Sequence, residues 1–174
     1  SLAPIIKSVP MENIINSPSI SLVASSDACD TGAGFVIGDN WAAYPFSPKH
    51  RHCLHINQKE AHAVVMLVHN MRKVITGRKL TLLVDNSALY WAMKRHWSQG
   101  HLMPWVYELS LLQMKYKTWI WFEWIPTRFN ILADALSRNE MQRFWKAIND
   151  FHYKIKTKPI KLTYLHKFLL FKNP

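Results

Sequence analysis

Four carboxylates in this chain stand where folded elements begin or end: Asp27, Glu60, Asp85 and Asp134. Asp27 closes the run "ISLVASSDA", and Asp85 follows "KLTLLV" directly. Glu60 falls in the first turn of the helical pattern "NQKEAHAVVMLVHNMRKVI", and Asp134 in the first turns of "FNILADALSR". Brought together, such groups would repel one another by several kcal/mol in a low dielectric. Divalent cations remove that objection. Hard oxygen donors suit Mg²⁺, which takes a few carboxylates and completes its shell with water and substrate phosphate. Two such ions about 4 Å apart activate a water and stabilise the leaving oxygen in phosphodiester hydrolysis. Asp134 is the sharpest case, because it sits among Ile131, Leu132, Ala135 and Leu136 with no basic residue adjacent in sequence. A lone carboxylate is costly to desolvate, so Asp134 is expected to face metal. Each acid also has a plainer use. Glu60 could close a capping box with Asn57. Asp85 could open a helix cap with Asn86 and Ser87. Asp27 could share a turn with Asp30, and Asp134 could lie on a solvated helix face.

The elements that would position these acids are legible in the pattern. "ISLVASSDA", "GAGFVIG" and "WAAYPF" predict three strands of an antiparallel meander, with Asp39-Asn40 as a hairpin signal. "SPKHRHCLHI" predicts a polar loop. A long helix follows, with Asn57 as its cap and Ala61, Val64, Val65 and Val68 as its apolar stripe. "KLTLLVD" predicts a fourth, largely buried strand, "NSALYWAMKRHW" and "LMPWVYELSLLQMKYK" two helices, and "TWIWFEWIP" a fifth strand stopped by Pro126. The helix around Asp134, capped by Asn130, comes next, with "EMQRFWKAI" as its continuation. If strands one and four are parallel neighbours, their ends meet, and ligand sites of open α/β sheets form at such ends. Residues 1–18 carry Pro4, Pro10 and Pro18 and form a linker or lead-in arm. Residues 19–150 form the domain, and 151–174 a basic extension.

Composition narrows the function. The chain has 174 residues, 49% hydrophobic and 19% charged, which is enough for one domain with a real core. A net charge of +11 favours a polyanionic partner such as nucleic acid. Neither a membrane-length apolar run nor a signal-peptide pattern is present. Two cysteines, Cys29 and Cys53, argue against a disulfide scaffold and for a reducing compartment.

The element order and these residues resemble the RNase H fold, specifically the ribonuclease H domain that follows reverse transcriptase in retroelements. "SDACDTGAGFVIG" is similar to the family's first-strand motif, with Cys29 in place of the usual small hydroxyl residue. "HINQKEAHAVVMLV" is similar to its Asn-x-x-Glu-x-x-Ala helix start. "ITGRKLTLLVDNSAL" resembles a segment of gypsy-type and DIRS-type elements, and "WIPTRFNILADALSR" their Ala-Asp-x-Leu-Ser-Arg ending. "HIN", "VDN" and "WSQG" lean toward the DIRS-type or pararetroviral branch. The resemblance spans roughly residues 20–139. It implies an α/β, RNase H-like fold: a five-stranded mixed sheet, three strands antiparallel and two parallel, flanked by helices. It also implies Asp27, Glu60, Asp85 and Asp134 as a catalytic tetrad holding two Mg²⁺ ions, with Mn²⁺ able to substitute. The activity implied is hydrolysis of the RNA strand of RNA/DNA hybrids, leaving 5′-phosphates. Degraded copies of this domain lack several acids, whereas here all four positions are filled. Many cellular members carry a histidine in the loop before the last aspartate, which helps release product. Here that loop reads "IPTRFN", so slower turnover is expected. The Ser1 start and proline-rich arm suggest excision from a polyprotein with a reverse transcriptase ahead. The expected setting is intracellular, cytoplasmic or nuclear, with the retroelement particle.

A hybrid is recognised by 2′-hydroxyls on one strand and deoxyribose or phosphates on the other. Asn57, Gln58, Asn86 and Ser87 are candidates beside the acids, Arg128 and Arg138 for phosphate, and Lys94 and Arg95 for tracking the backbone. The tryptophans of "WIWFEW" are expected in the core on both sheet faces, whereas Trp91 and Trp97 are better placed for substrate contact. His50, His52, Cys53 and His55 cluster, but with a spacing that fits no standard zinc site. Gly32 and Gly34 are expected to permit a tight turn and close approach of substrate. Two rival functions remain: a catalytically silent binding module, and a DNA-cutting transposase or resolvase core on the same fold.

Overall fold

The computed structural model describes residues 22–151 and 158–162. Strands β1 (Leu22–Ala28), β2 (Gly32–Ile37) and β3 (Asn40–Pro45) form the antiparallel meander. β1 also pairs in parallel with β4 (Lys79–Val84), and β4 with β5 (Trp119–Trp124). The sheet has six strands, not five, in the order β5-β4-β1-β2-β3-β6. β6 is only Lys158–Pro159, parallel to β3. The bonds come from either side of Pro159: Lys158 N–H donates to the Asp39 carbonyl at 2.7 Å and Ile160 N–H to that of Trp41 at 2.9 Å. Pro159 has no donor to offer and suits only such an edge.

Alternation along the strands gives the sheet two faces. Ala24, Phe35, Ile37, Leu80, Leu82, Val84, Ile120 and Phe122 point into the main core. There they meet α2 (Ile56–Asn70), α4 (Ser87–Arg95) and α5 (Met103–Tyr116). α2 is buried almost all round, from Gln58 to His69. On the other face, α6 (Ile131–Ser137) lies on β1, β2 and β3 and is followed by α7 (Met141–Asp150). Ala135, Leu136, Phe144 and Ile148 pack there with Val36, Trp41 and Ala43.

Several local expectations change. α1 (Pro48–Cys53) replaces the predicted loop: Ser47 Oγ accepts from His50 N–H at 3.2 Å, and Pro48 starts the first turn. The predicted long helix is broken at Met71, after which α3 (Arg72–Ile75) completes it. α7 does not continue α6, because Asn139 takes a left-handed conformation (φ 57°) and Glu140 N–H returns to the Ala135 carbonyl at 2.8 Å. Trp119 and Trp121 are not core residues but 64% and 49% exposed, since α6 covers the sheet only as far as β1; Trp124, on the opposite face at the end of β5, is 40% exposed. Residues 1–18 and most of 151–174 lie outside the described residues.

Gly32 and Gly34 serve the fold and not a substrate approach. A Cβ on Gly34 would lie 2.4 Å from Leu136 Cβ, and one on Gly32 would lie 2.9 Å from the Ser137 carbonyl oxygen. Their absence of side chains lets α6 sit directly on β2. Gly34→Ala should therefore cost about 3 kcal/mol by overpacking, read as a lowered denaturation midpoint. The same change at Gly38, a turn glycine with open space around it, costs only its left-handed strain.

Candidate active site

Because β1 and β4 run parallel, Asp27, near the end of one, and Asp85, just past the end of the other, reach the same sheet edge. The start of α2 packs against that edge and contributes Glu60. Asp27, Glu60 and Asp85 offer carboxylate oxygens all within 4.8 Å of one another. Asp27 and Glu60 are buried, and Glu60 Oε2 has no hydrogen-bond partner. A buried carboxylate oxygen without a partner calls for an explanation, and a cation is the simplest one.

The electrostatics are those of an uncompensated acidic cluster. Burial, then the charge of Asp85, pushes Asp27 up to about 7. Burial, then the charges of Asp27 and Asp85, raises Glu60 well above the ordinary carboxylate range. Asp85 is raised by burial, against which Thr127 donates to it. Hard oxygen donors, mutual repulsion and an orphaned oxygen together fit a divalent cation.

Asp134 differs. It is buried at the same edge, but Arg138 Nε donates to its Oδ1 at 2.9 Å and Arg143 Nη1 to its Oδ2 at 2.5 Å. Burial would raise its carboxyl, yet the two guanidiniums outweigh that and hold it below its usual range. What Asp134 faces here is arginine, and its carboxylate is not among the three that converge. One partner was one helical turn away in sequence, the other nine residues on. Arg143→Ala should raise the Asp134 pKa measurably by NMR titration while costing less than about 1 kcal/mol of stability, because Arg143 is largely solvated.

The polar candidates fall into two groups. Asn57 does not cap α2; His55 occupies the cap position, and Gln58 Oε1 accepts from His55 N–H at 3.0 Å. Gln58 is thus spent on the helix start, which also removes the capping role weighed for Glu60. Asn57 Oδ1 instead accepts from Asn86 Nδ2 at 2.8 Å, while Asn86 Oδ1 caps α4 through Leu89 N–H. That pair ties the two helix starts beside the acids. Ser87, Arg95 and Arg128 are exposed, and Arg95 and Arg128 rest over the rings of Trp91 and Phe129. Lys94 lies 3.2 Å from the ring centre of Trp121. Arg138, taken for phosphate, is bound to Asp134. Trp91, Arg95, Trp97, Ser98 and Gln99 line a shallow cavity of about 160 Å³.

Further residues hold the site in shape. Ser137 Oγ lies 3.0 Å from Asp27 Oδ2, and Cys29 Sγ donates to the Ser137 carbonyl at 3.1 Å. Asn130 stands at the N-cap position of α6 as expected, but its side chain makes no cap bond; its Nδ2 donates to the Ser26 carbonyl at 3.0 Å, anchoring the preceding loop to β1. Trp124 Nε1 donates to the Asp85 carbonyl at 3.1 Å. Lys59, almost wholly buried, reaches Asp30 Oδ1 at 3.3 Å. The histidines around Cys53 assemble no metal-ligating group among the described residues; His50 packs on Phe46 and His62.

Residues 18–112 match the family model described as the RNase H-like domain found in reverse transcriptase. The chain belongs to this family. Among solved structures, RNase H1 from the halophilic archaeon Halobacterium salinarum NRC-1 aligns with TM-score 0.58 and 14% identity, over 70% of this chain and 98% of that one. LC11-RNase H1, solved in complex with RNA/DNA hybrid, aligns with TM-score 0.58 and 15% identity, over 74% and 99%. No curated protein matches the sequence. At these identities the likeness establishes the shared fold of the RNase H-like domain. No described helix is long and apolar enough to cross a membrane.

Proposed function

We propose that this RNase H-like domain is a metal-dependent endoribonuclease that hydrolyses the RNA strand of RNA/DNA hybrids. The observation that carries this is the meeting of Asp27, Glu60 and Asp85 at the ends of two parallel strands, with one carboxylate oxygen left unpartnered. These three would hold divalent cations, Mg²⁺ by preference, and Asp134 would join them by giving up an arginine. Bound there, such ions supply water activation and stabilise the leaving oxygen. The chain's own residues do the rest. Ser137 holds the Asp27 carboxylate, Trp124 and Asn130 fix the backbone of Asp85 and β1, and the Asn57–Asn86 pair sets the helix starts where the minor groove of a hybrid would lie. Trp91 and Trp97, with Arg95 between them, would take the DNA strand. Arg138 and Arg128 lie at the rim, suited to phosphates. The linker-plus-domain-plus-tail division and a reverse transcriptase ahead in the same polyprotein belong to this reading, as does an origin in a gypsy-, DIRS- or pararetrovirus-like element.

The test is incubation with a hybrid labelled separately on each strand, in Mg²⁺ and in Mn²⁺. RNA-strand cleavage with 5′-phosphate ends is expected, and none of duplex DNA. Hybrid binding without cleavage in either metal would favour a silent binding module instead, and cleavage of duplex DNA a transposase-like core.

A further inference from the structure

Away from the acids, the starting edge of β4 and β5 carries a second feature. Residues 71–84 and 109–122 contain no aspartate or glutamate. They bring together Arg78, Lys79, Lys115 and Lys117, all exposed and none ion-paired among the described residues. The two loops are tied rigidly: Gly77 N–H donates to the Tyr116 carbonyl at 3.2 Å, and Thr118 Oγ1 to that of Arg78 at 2.8 Å. Lys79 is the register partner of Trp119, and Thr81 that of Trp121. Trp119 and Trp121 therefore stand on the sheet face that α6 leaves open, two residues apart. That spacing is about 6.8 Å, roughly two base-stacking steps. Lys94 covers the ring of Trp121 at 3.2 Å, and Glu123 accepts from its Nε1 at 2.6 Å.

We propose that this edge and face bind single-stranded nucleic acid, with bases stacked on Trp119 and Trp121 and the backbone neutralised by Arg78, Lys79, Lys115 and Lys117. Exposed aromatic rings flanked by unpaired cations are the recognised means of holding single strands without reading their sequence. A protein partner could use the tryptophans, but would leave four cations to be desolvated without counter-charge. The surface is separate from the acids: β4 puts about 20 Å between Lys79 and Asp85. It would hold a strand running out of the hybrid, and not the base pair being cut. The inference does not depend on the proposed catalytic activity.

The test uses the full chain and a fluorescein-labelled oligo(dT) about 20 nucleotides long, followed by anisotropy across a salt series. Lys79→Gln/Lys115→Gln/Lys117→Gln should weaken binding about tenfold and flatten the salt slope by about 2, or roughly 0.7 per lost phosphate contact. The matching triple change to arginine should keep both affinity and slope, which separates charge from damage to the fold. Trp119→Ala should weaken binding at least fivefold at an unchanged slope, as loss of one stacking platform does. Parental affinity in the tryptophan variant, or a parental slope in the glutamine variant, would overturn the proposal and leave the face to a protein partner. Cleavage of a blunt hybrid of about 12 base pairs, followed alongside, reports on the acids alone, so the two readings fail separately.

Discussion

On the proposed activity, Asp85→Asn is expected to lower hybrid cleavage by about a thousandfold in Mg²⁺ while the domain stays folded. Loss of a single electrostatic group at a reacting phosphate has effects of that order. Asparagine keeps the shape of the side chain and its bonds to Thr127, so the fold has no reason to fail. Hybrid binding without divalent ions should hold or tighten, because one negative charge has left a surface that would meet the hybrid's phosphates. A second readout needs no activity. The charge of Asp85 is the largest cause, after burial, of the raised Asp27 pKa. In the variant the Asp27 carboxyl should titrate measurably lower by carbon-detected NMR. An unchanged Asp27 titration would mean the two carboxylates do not face one another, and cleavage near the parental rate would remove Asp85 from the chemistry.

The metal-free domain is expected to lose stability between pH 4 and pH 7. Asp27 titrates near 7 in the folded chain against 3.8 for a free side chain, so the native state binds a proton that the unfolded state has already released. Its contribution is fully present below about pH 4 and gone above about pH 7. A shift of about three units corresponds to about 4 kcal/mol. Glu60, raised in the same direction, shares the burden with Asp27, the pair keeping one proton more readily than carrying two charges. Asp134 runs the other way: its contribution is lost as pH falls through the ordinary carboxylate range, so it touches only the acid end of this window. Chemical denaturation in EDTA should give a higher free energy of unfolding at pH 5 than at pH 8. Millimolar Mg²⁺ should close the gap at pH 8, since a cation takes the place of the proton. Equal stability at the two pH values without metal would show that the carboxylates are not crowded.

The fold was legible wherever local pattern decides local structure. The alternating run ending at Asp27 and the apolar "KLTLLV" became parallel neighbours, and their ends do meet. The long apolar stripe of α2 likewise left little freedom over where Glu60 sits. What periodicity does not contain is which sheet face a short helix will cover. "WIWFEW" alternates faithfully, yet Trp119 and Trp121 are exposed because α6 stops at β1, a fact of tertiary arrangement. The same limit explains Asp134. Its apolar neighbours pointed inward correctly, but Arg143 comes to it only after the reversal at Asn139. Ser137 sat inside the most recognisable motif and still had no assigned use, because its partner Asp27 lies 110 positions away. Short polar side chains near helix starts were the least legible. Asn57, Gln58 and Asn130 each chose between a cap and a tertiary partner, two options separated by about 1 kcal/mol.

The bond between Ser137 and Asp27 also has a bearing on how the chain is made. Strand β1 emerges from the ribosome among the first described elements and α6 among the last, with β4, Asp85 and both core helices in between. Contacts of such long sequence separation form slowly and late. Until residue 137 has cleared the exit tunnel, Asp27 has no hydroxyl to hold it, and Gly32 and Gly34 have nothing resting on them. A chain that ends before residue 137 therefore carries the acids of β1, α2 and β4 without the helix that covers β2 or the hydroxyl that holds Asp27.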